Sequence, residues 1–252
     1  MTPTRFLVRL CRPVRQLAGA LLLAGLAACG GGAMTEPATQ AAAEVADGAE
    51  AVTRSAAQAA ALPVDLRCAA TWKNLGCVEQ RKLVVGNQLR EFIVWTPHTA
   101  RLRAQAPVVF MLHGTNQDGE QFFNHSGWRE EAIKRGVIAV FPTALVHCYH
   151  QDDNHRPIDG NEATHILTKW ADGRLGGPNA DRPLCTPAEI QAMNLSKKQL
   201  LQLAHGLADD MGFFRAMVDL LKAEYAVDPK RIYVSGFSNG AEMSGRLAAE
   251  MS

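Results

Sequence analysis

Gly236-Phe237-Ser238-Asn239-Gly240 is the stretch of this sequence whose residue types and spacing can do chemistry. A serine becomes a useful nucleophile when its hydroxyl is lifted clear of the backbone around it. A turn tight enough to do that leaves no room for side chains two residues before and two residues after, and Gly236 and Gly240 meet that demand. The stretch follows a strand pattern, Arg231-Ile232-Tyr233-Val234-Ser235, and precedes a helical one over residues 241–250. Ser238 is thus expected where a strand hands over to a helix, beside backbone N–H groups that stabilise developing negative charge. Ser235 and Ser244 lack that placement and read as structural.

Attack of such a hydroxyl on an acyl carbonyl creates an oxyanion that needs two donors. The residue after the nucleophile supplies one N–H, here Asn239; a loop after an earlier strand supplies the other. His113-Gly114-Thr115 follows the apolar run Pro107-Val108-Val109-Phe110-Met111-Leu112, and Thr115 takes the second role. His113 reads as a residue that fixes this loop rather than as the catalytic base.

The elements that must hold these residues follow from periodicity. Residues 81–85 and 89–95 favour strands and are joined through Gly86-Asn87, a hairpin signal. The continuous apolar runs 107–112 and 137–141 suit parallel strands covered on both faces. Between them residues 126–135 read as a helix capped by Ser126 and stopped by Gly136. Residues 142–206 lack strand character and form an insertion, within which Thr186-Pro187-Ala188-Glu189 and Ser196-Lys197-Lys198-Gln199 each start a short helix with a capping box. Phe214, Met217, Val218, Leu221 and Tyr225 form one apolar stripe, so residues 210–225 are an amphipathic helix. Asp228-Pro229 breaks the chain before a third parallel strand. The alternation is that of an α/β domain.

The chain has 252 residues, 47% hydrophobic and 20% charged, enough for one sizeable core. Its formal charge of +1 offers no basic field, so nucleic acid is excluded as a partner. Arg5, Arg9, Arg12 and Arg15 precede an apolar Leu, Ala and Gly run over residues 17–28, with no acidic residue before Glu36. This is a signal peptide, too short in its apolar part for a permanent membrane span. It ends Leu26-Ala27-Ala28-Cys29, which resembles a lipoprotein lipobox. Residues 1–28 therefore read as a cleaved leader and Cys29 as the lipidation site, giving a membrane partner through a lipid anchor and an exported, outer-membrane or surface location. Without those residues the formal charge falls to −3. Residues 29–62, rich in Ala and Gly, form a flexible linker; the folded domain spans 63–252. Of the remaining cysteines, Cys68 with Cys77 and Cys148 with Cys185 are the preferred disulfides among three possible pairings, as export permits.

Over residues 81–251 the chain resembles the secreted polyhydroxybutyrate depolymerase and feruloyl esterase group of α/β-hydrolases. The resemblance rests on Phe110-Met111-Leu112-His113-Gly114-Thr115, on Asp209-Asp210-Met211-Gly212-Phe213, and above all on Val227-Asp228-Pro229-Lys230-Arg231-Ile232-Tyr233-Val234-Ser235 running into the Ser238 motif. Trp170-Ala171-Asp172-Gly173 resembles a loop of the same group. It implies an α/β-hydrolase fold and serine esterase chemistry on an ester substrate, without metal or organic cofactor. A His would take the Ser238 proton and an acid would orient that His.

In that fold the acid and the His follow the nucleophile. The 14 residues after Ser238 contain neither Asp nor His. The expectation is therefore the N-terminal half of the mostly parallel sheet, a truncated product with one open central-strand edge, poor stability and little esterase activity. Two rival readings remain. His147, Cys148, His150, Asp152, Asp153 and His155 could bind a metal, although their spacing matches no common zinc pattern; or the chain could be a non-catalytic surface protein. Trp170 is open to contact with an acyl group or, preferentially, to packing.

Overall fold

Apolar periodicity sorts the chain into one large sheet between two helical layers. The structure, a computed structural model, describes residues 8–9, 70–152, 160–176 and 180–251. Its strands are β1 (Val8–Arg9), β2 (Ala70–Thr71), β3 (Gly76–Val85), β4 (Gln88–Pro97), β5 (Ala106–Leu112), β6 (Ile138–Pro142), β7 (Val146–Gln151), β8 (Ala163–Thr168) and β9 (Val227–Gly236). Its helices are α1 (His98–Arg101), α2 (Gly119–His125), α3 (Trp128–Arg135), α4 (Pro187–Ala192), α5 (Lys197–Gln202), α6 (Asp210–Glu224) and α7 (Asn239–Met251). The large sheet has the order β1-β9-β5-β6-β4-β3-β2, and β7 and β8 form a separate antiparallel hairpin.

β3 and β4 pair antiparallel from Gly76↔Pro97 to Val85↔Gln88. The turn between them places Gly86 and Asn87 at φ +55° and +61°, the left-handed pair that matches strand twist in a two-residue hairpin. β4 runs antiparallel to β6, while β6, β5 and β9 are mutually parallel neighbours. Every residue of β5 and of β6 is buried, because alternate side chains enter different cores. Val108, Phe110 and Leu112 join Phe214, Met217 and Leu221 of α6 and Met243 and Leu247 of α7. Val109 and Met111 join Phe123 of α2 and Trp128 and Ala132 of α3. Helices on both faces of parallel strands, with an antiparallel hairpin leading in and a serine turn after β9, make this an α/β-hydrolase fold; its sheet is mixed rather than mostly parallel as expected, with only the β6-β5-β9 neighbours parallel among the described residues.

Four further expectations need correction. The helix expected over 126–135 is present as α3, but its N-cap is Gly127, at φ +74°, and Ser126 is instead the C-cap of α2. Gly136 does stop α3, in a left-handed C-cap. Residues 142–206 do contain strands, since Val146–Gln151 and Ala163–Thr168 pair in register Tyr149↔His165 and Cys148↔Ile166. Asp228-Pro229 lies inside β9 rather than breaking the chain. Finally, in the full chain the outer edge of β9 is paired over Tyr233 and Val234, antiparallel to Val8–Arg9; those two residues lie within the expected leader, so its cleavage would leave that edge open.

Both capping boxes are present, on Thr186 with Glu189 and on Ser196 with Gln199. Cys148 and Cys185 form a disulfide with their Cα atoms 5.3 Å apart. Cys77 is also disulfide-bonded; the expected partner, Cys68, lies outside the described residues, as do Cys29, the linker and all of the leader except residues 8–9.

Candidate active site

At the carboxyl end of β9 the backbone turns so sharply that Ser238 adopts φ +52°, a conformation costing a non-glycine residue about 1–3 kcal/mol and held only where its surroundings enforce it. Here the enforcement is visible. Phe237 N–H donates to the Leu112 carbonyl at 3.0 Å, fixing the turn to the end of β5, and Gly240 N–H closes it onto the Phe237 carbonyl at 2.9 Å. Ala241 and Glu242 N–H both donate to the Ser238 carbonyl, at 2.8 and 3.2 Å. A Cβ on Gly236 would overlap the Gly240 carbonyl, and one on Gly240 would overlap the carbonyls of Leu112 and His113. The glycines are there because three backbone segments converge within contact distance.

Ser238 is exposed, whereas Asn239 behind it is buried. As the first residue of α7, Asn239 presents a backbone N–H that has no partner within the helix. Ser238, Asn239 and Thr115 line one cleft of about 360 Å³, together with Tyr149 and His165 from the β7–β8 hairpin and with Lys169. The structure thus brings the expected nucleophile and both expected oxyanion donors to one cavity.

The Asn239 side chain works behind the site. Its Oδ1 accepts from Trp170 N–H at 2.7 Å, and its Nδ2 donates to the Trp170 carbonyl at 3.3 Å and to Asp172 Oδ2 at 2.8 Å. Burial pushes the Asp172 carboxyl up, but the Arg174 N–H and the charges of Lys169 and Arg182 hold it below the usual carboxylate range. The next peptide in that loop, Ala171 N–H, donates to Asp210 Oδ2 at 2.7 Å, and Asp210 Oδ1 receives Arg90 at 2.6 Å. A buried chain of polar contacts therefore runs from the hairpin strand β4 to the first residue of α7. Sequence reasoning missed it: Arg90 carried no motif, and the roles of Asp172 and Asp210 depend on partners more than 35 residues away.

Trp170 is fully buried, donates its indole N–H to the His113 carbonyl at 2.9 Å and packs 5.7 Å from Phe214. It is a packing residue and does not reach the cleft. His113 is equally buried; Ala144 N–H donates to its Nε2 at 3.0 Å, so the proton sits on Nδ1, which donates to the Gly114 carbonyl at 2.7 Å. Burial pushes its pKa down. A neutral imidazole with both nitrogens engaged fixes a loop and takes no proton from a hydroxyl. Among the described residues no histidine hydrogen-bonds the Ser238 hydroxyl. Ser244 donates to the Gly240 carbonyl at 2.8 Å, within the helix start.

The described side chains of the His-rich segment make other contacts. Cys148 is in the disulfide, His147 Nε2 accepts from Ala208 N–H at 3.3 Å, and His150 lies between Glu189 and Thr164. Among the described residues no group of three or more His, Cys, Asp or Glu side chains is placed to hold a metal ion. Asp153 and His155 lie outside the described residues.

No protein-family model matches this chain, and no curated protein does. Among solved structures it is similar to an S-formylglutathione hydrolase from Agrobacterium tumefaciens, at 15% identity and a TM-score of 0.42, over 69% of this chain and 53% of that one. The chain spans about half the length of that structure.

Proposed function

We propose that the site is that of a serine-dependent carboxylic ester hydrolase of the polyhydroxybutyrate depolymerase or feruloyl esterase kind, with Ser238 as nucleophile. The observation that carries this reading is an exposed serine at φ +52°, on a strand-to-helix turn whose glycines cannot be replaced without moving backbone, opening on a cleft shared with Asn239 and Thr115. In the reaction Ser238 Oγ attacks the ester carbonyl, and the tetrahedral oxyanion is received by the N–H groups of Asn239 and Thr115. The leaving alcohol departs with a proton, and water then hydrolyses the acyl-serine. The chain is read as an exported lipoprotein anchored through Cys29, an assignment supported by the arginine-then-apolar leader and by the Cys148–Cys185 disulfide.

A fluorophosphonate probe tests the nucleophile directly. One covalent adduct is expected, on the peptide holding Ser238, and none in Ser238→Ala. An adduct of equal yield in that variant would overturn the assignment, and a chain left unmodified would mean that the Ser238 hydroxyl is not activated, as in a binding protein or in a hydrolase without its His.

A further inference from the structure

The cleft beside Ser238 holds a buried cation that the proposed ester chemistry does not use. Lys169 is 3% exposed, follows β8 directly and lines the cleft. Its ammonium donates to the Thr115 hydroxyl at 3.4 Å and stands 5.6 Å from the ring of Tyr149. The neighbouring acids are engaged elsewhere. Asp172 takes Asn239, the Arg174 N–H and, at 3.5 Å, Arg182. Arg174 holds Asp181 at 2.5 Å and Glu242 at 3.4 Å. Arg182 also donates to Gln151 at 2.9 Å. Among the described residues no carboxylate lies within ion-pair distance of Lys169, whereas a buried ammonium is ordinarily paired. Burial and the nearby Arg182 charge press its pKa below the usual lysine range, the condition that an incoming anion relieves.

We propose that Lys169 is the counter-ion for a substrate carboxylate, so that the esters suited to this cleft carry a free carboxylate a few bonds from the scissile carbonyl. The distance follows from Thr115, which touches Lys169 on one side and flanks the expected oxyanion position on the other. A cleft of about 360 Å³ takes a small acyl group of that kind. The proposal rests on the reading of Ser238 for the identity of the reacting group, but anion binding is separable from reaction.

Titration calorimetry with monomethyl glutarate and with uncharged dimethyl glutarate separates them. The wild-type chain is expected to bind the monoanion at least tenfold more tightly than the diester, Ser238→Ala to keep that preference, and Lys169→Met to reduce it to under twofold. A wild-type chain without the preference, or a folded Lys169→Met chain that retains it, overturns the proposal. Should Lys169→Met not fold, protection of Lys169 itself decides the matter, because Arg174 and Arg182 line the same cleft. Monomethyl glutarate at saturation should slow trinitrophenylation of Lys169 at least tenfold and dimethyl glutarate should not; an unchanged rate with the monoanion refutes the assignment. Loss of fluorophosphonate labelling with anion binding intact would instead contradict the nucleophile and leave this site standing.

Discussion

Asp210→Ala should lower the unfolding free energy by about 3–5 kcal/mol, the range for removing one partner of a buried ion pair. The side chains of Arg90 and Asp210 are 1% and 0% exposed. The guanidinium cannot shed its charge; without Asp210 it keeps only a 3.4 Å contact to the Thr143 carbonyl and the face of Phe213 at 4.1 Å. Ala171 N–H loses its acceptor in the same change. Urea unfolding is the measurement, with a lowered midpoint and an unchanged slope as the expected signature. A loss below 1 kcal/mol would mean that the pair is hydrated. Because Ala171 lies between Trp170 and Asp172, both of which Asn239 grips, labelling of Ser238 should also slow in this variant.

Gly240→Val should abolish labelling of Ser238 and destabilise the chain by about 3 kcal/mol, the upper end of the range for added bulk in a packed site. A Cβ at this position meets the backbone carbonyls of Leu112 and His113, which cannot swing aside as a side-chain end could. Relief requires α7 to move off β5, carrying Ser238 and the Asn239 N–H away from Thr115. Gly245→Ala is the internal control: the same helix has open space there, and the change should stabilise by about 0.5–1 kcal/mol through helix propensity. If Gly240→Val labels as fast as the unaltered chain, the close approach of backbone is not what shapes the turn.

Much of this site could be read from residue order because its parts are local. Gly236, Ser238 and Gly240 act through backbone within five positions, and the apolar continuity of residues 107–112 reports burial on both faces whatever the topology. The α6 stripe and the two capping boxes are likewise local. What escaped depends on distant partners. β7 contains His147, Cys148, Tyr149, His150 and Gln151, a composition without apolar alternation, and it becomes a strand through pairing with Ala163–Thr168 and the link to Cys185. Thr164, Ile166 and Thr168, β-branched at alternate positions, were the one signal that could have revealed the hairpin. Asp228-Pro229 failed as a breaker because proline is tolerated near the start of a strand, where the pairing of β9 with β5 is itself irregular. Lys169 carried no motif at all; its interest lies in being buried beside Thr115 without a carboxylate.

The most direct test of the central claim, that Ser238 is an acyl-accepting nucleophile, is intact-mass and peptide mass spectrometry of the 252-residue chain after incubation with a 4-nitrophenyl ester. With no histidine against its hydroxyl among the described residues, acylation relies on the turn and the oxyanion donors, which in serine hydrolases retain about 10³–10⁴-fold acceleration over water on their own. Among the described residues no histidine is hydrogen-bonded at Ser238 to activate the deacylating water, so the acyl-enzyme should accumulate. The expected result is one acyl group, carried by Ser238 and absent from Ser238→Ala; nitrophenolate release that is undiminished in Ser238→Ala, or an acyl group on another residue in equal amount in both chains, would contradict the account.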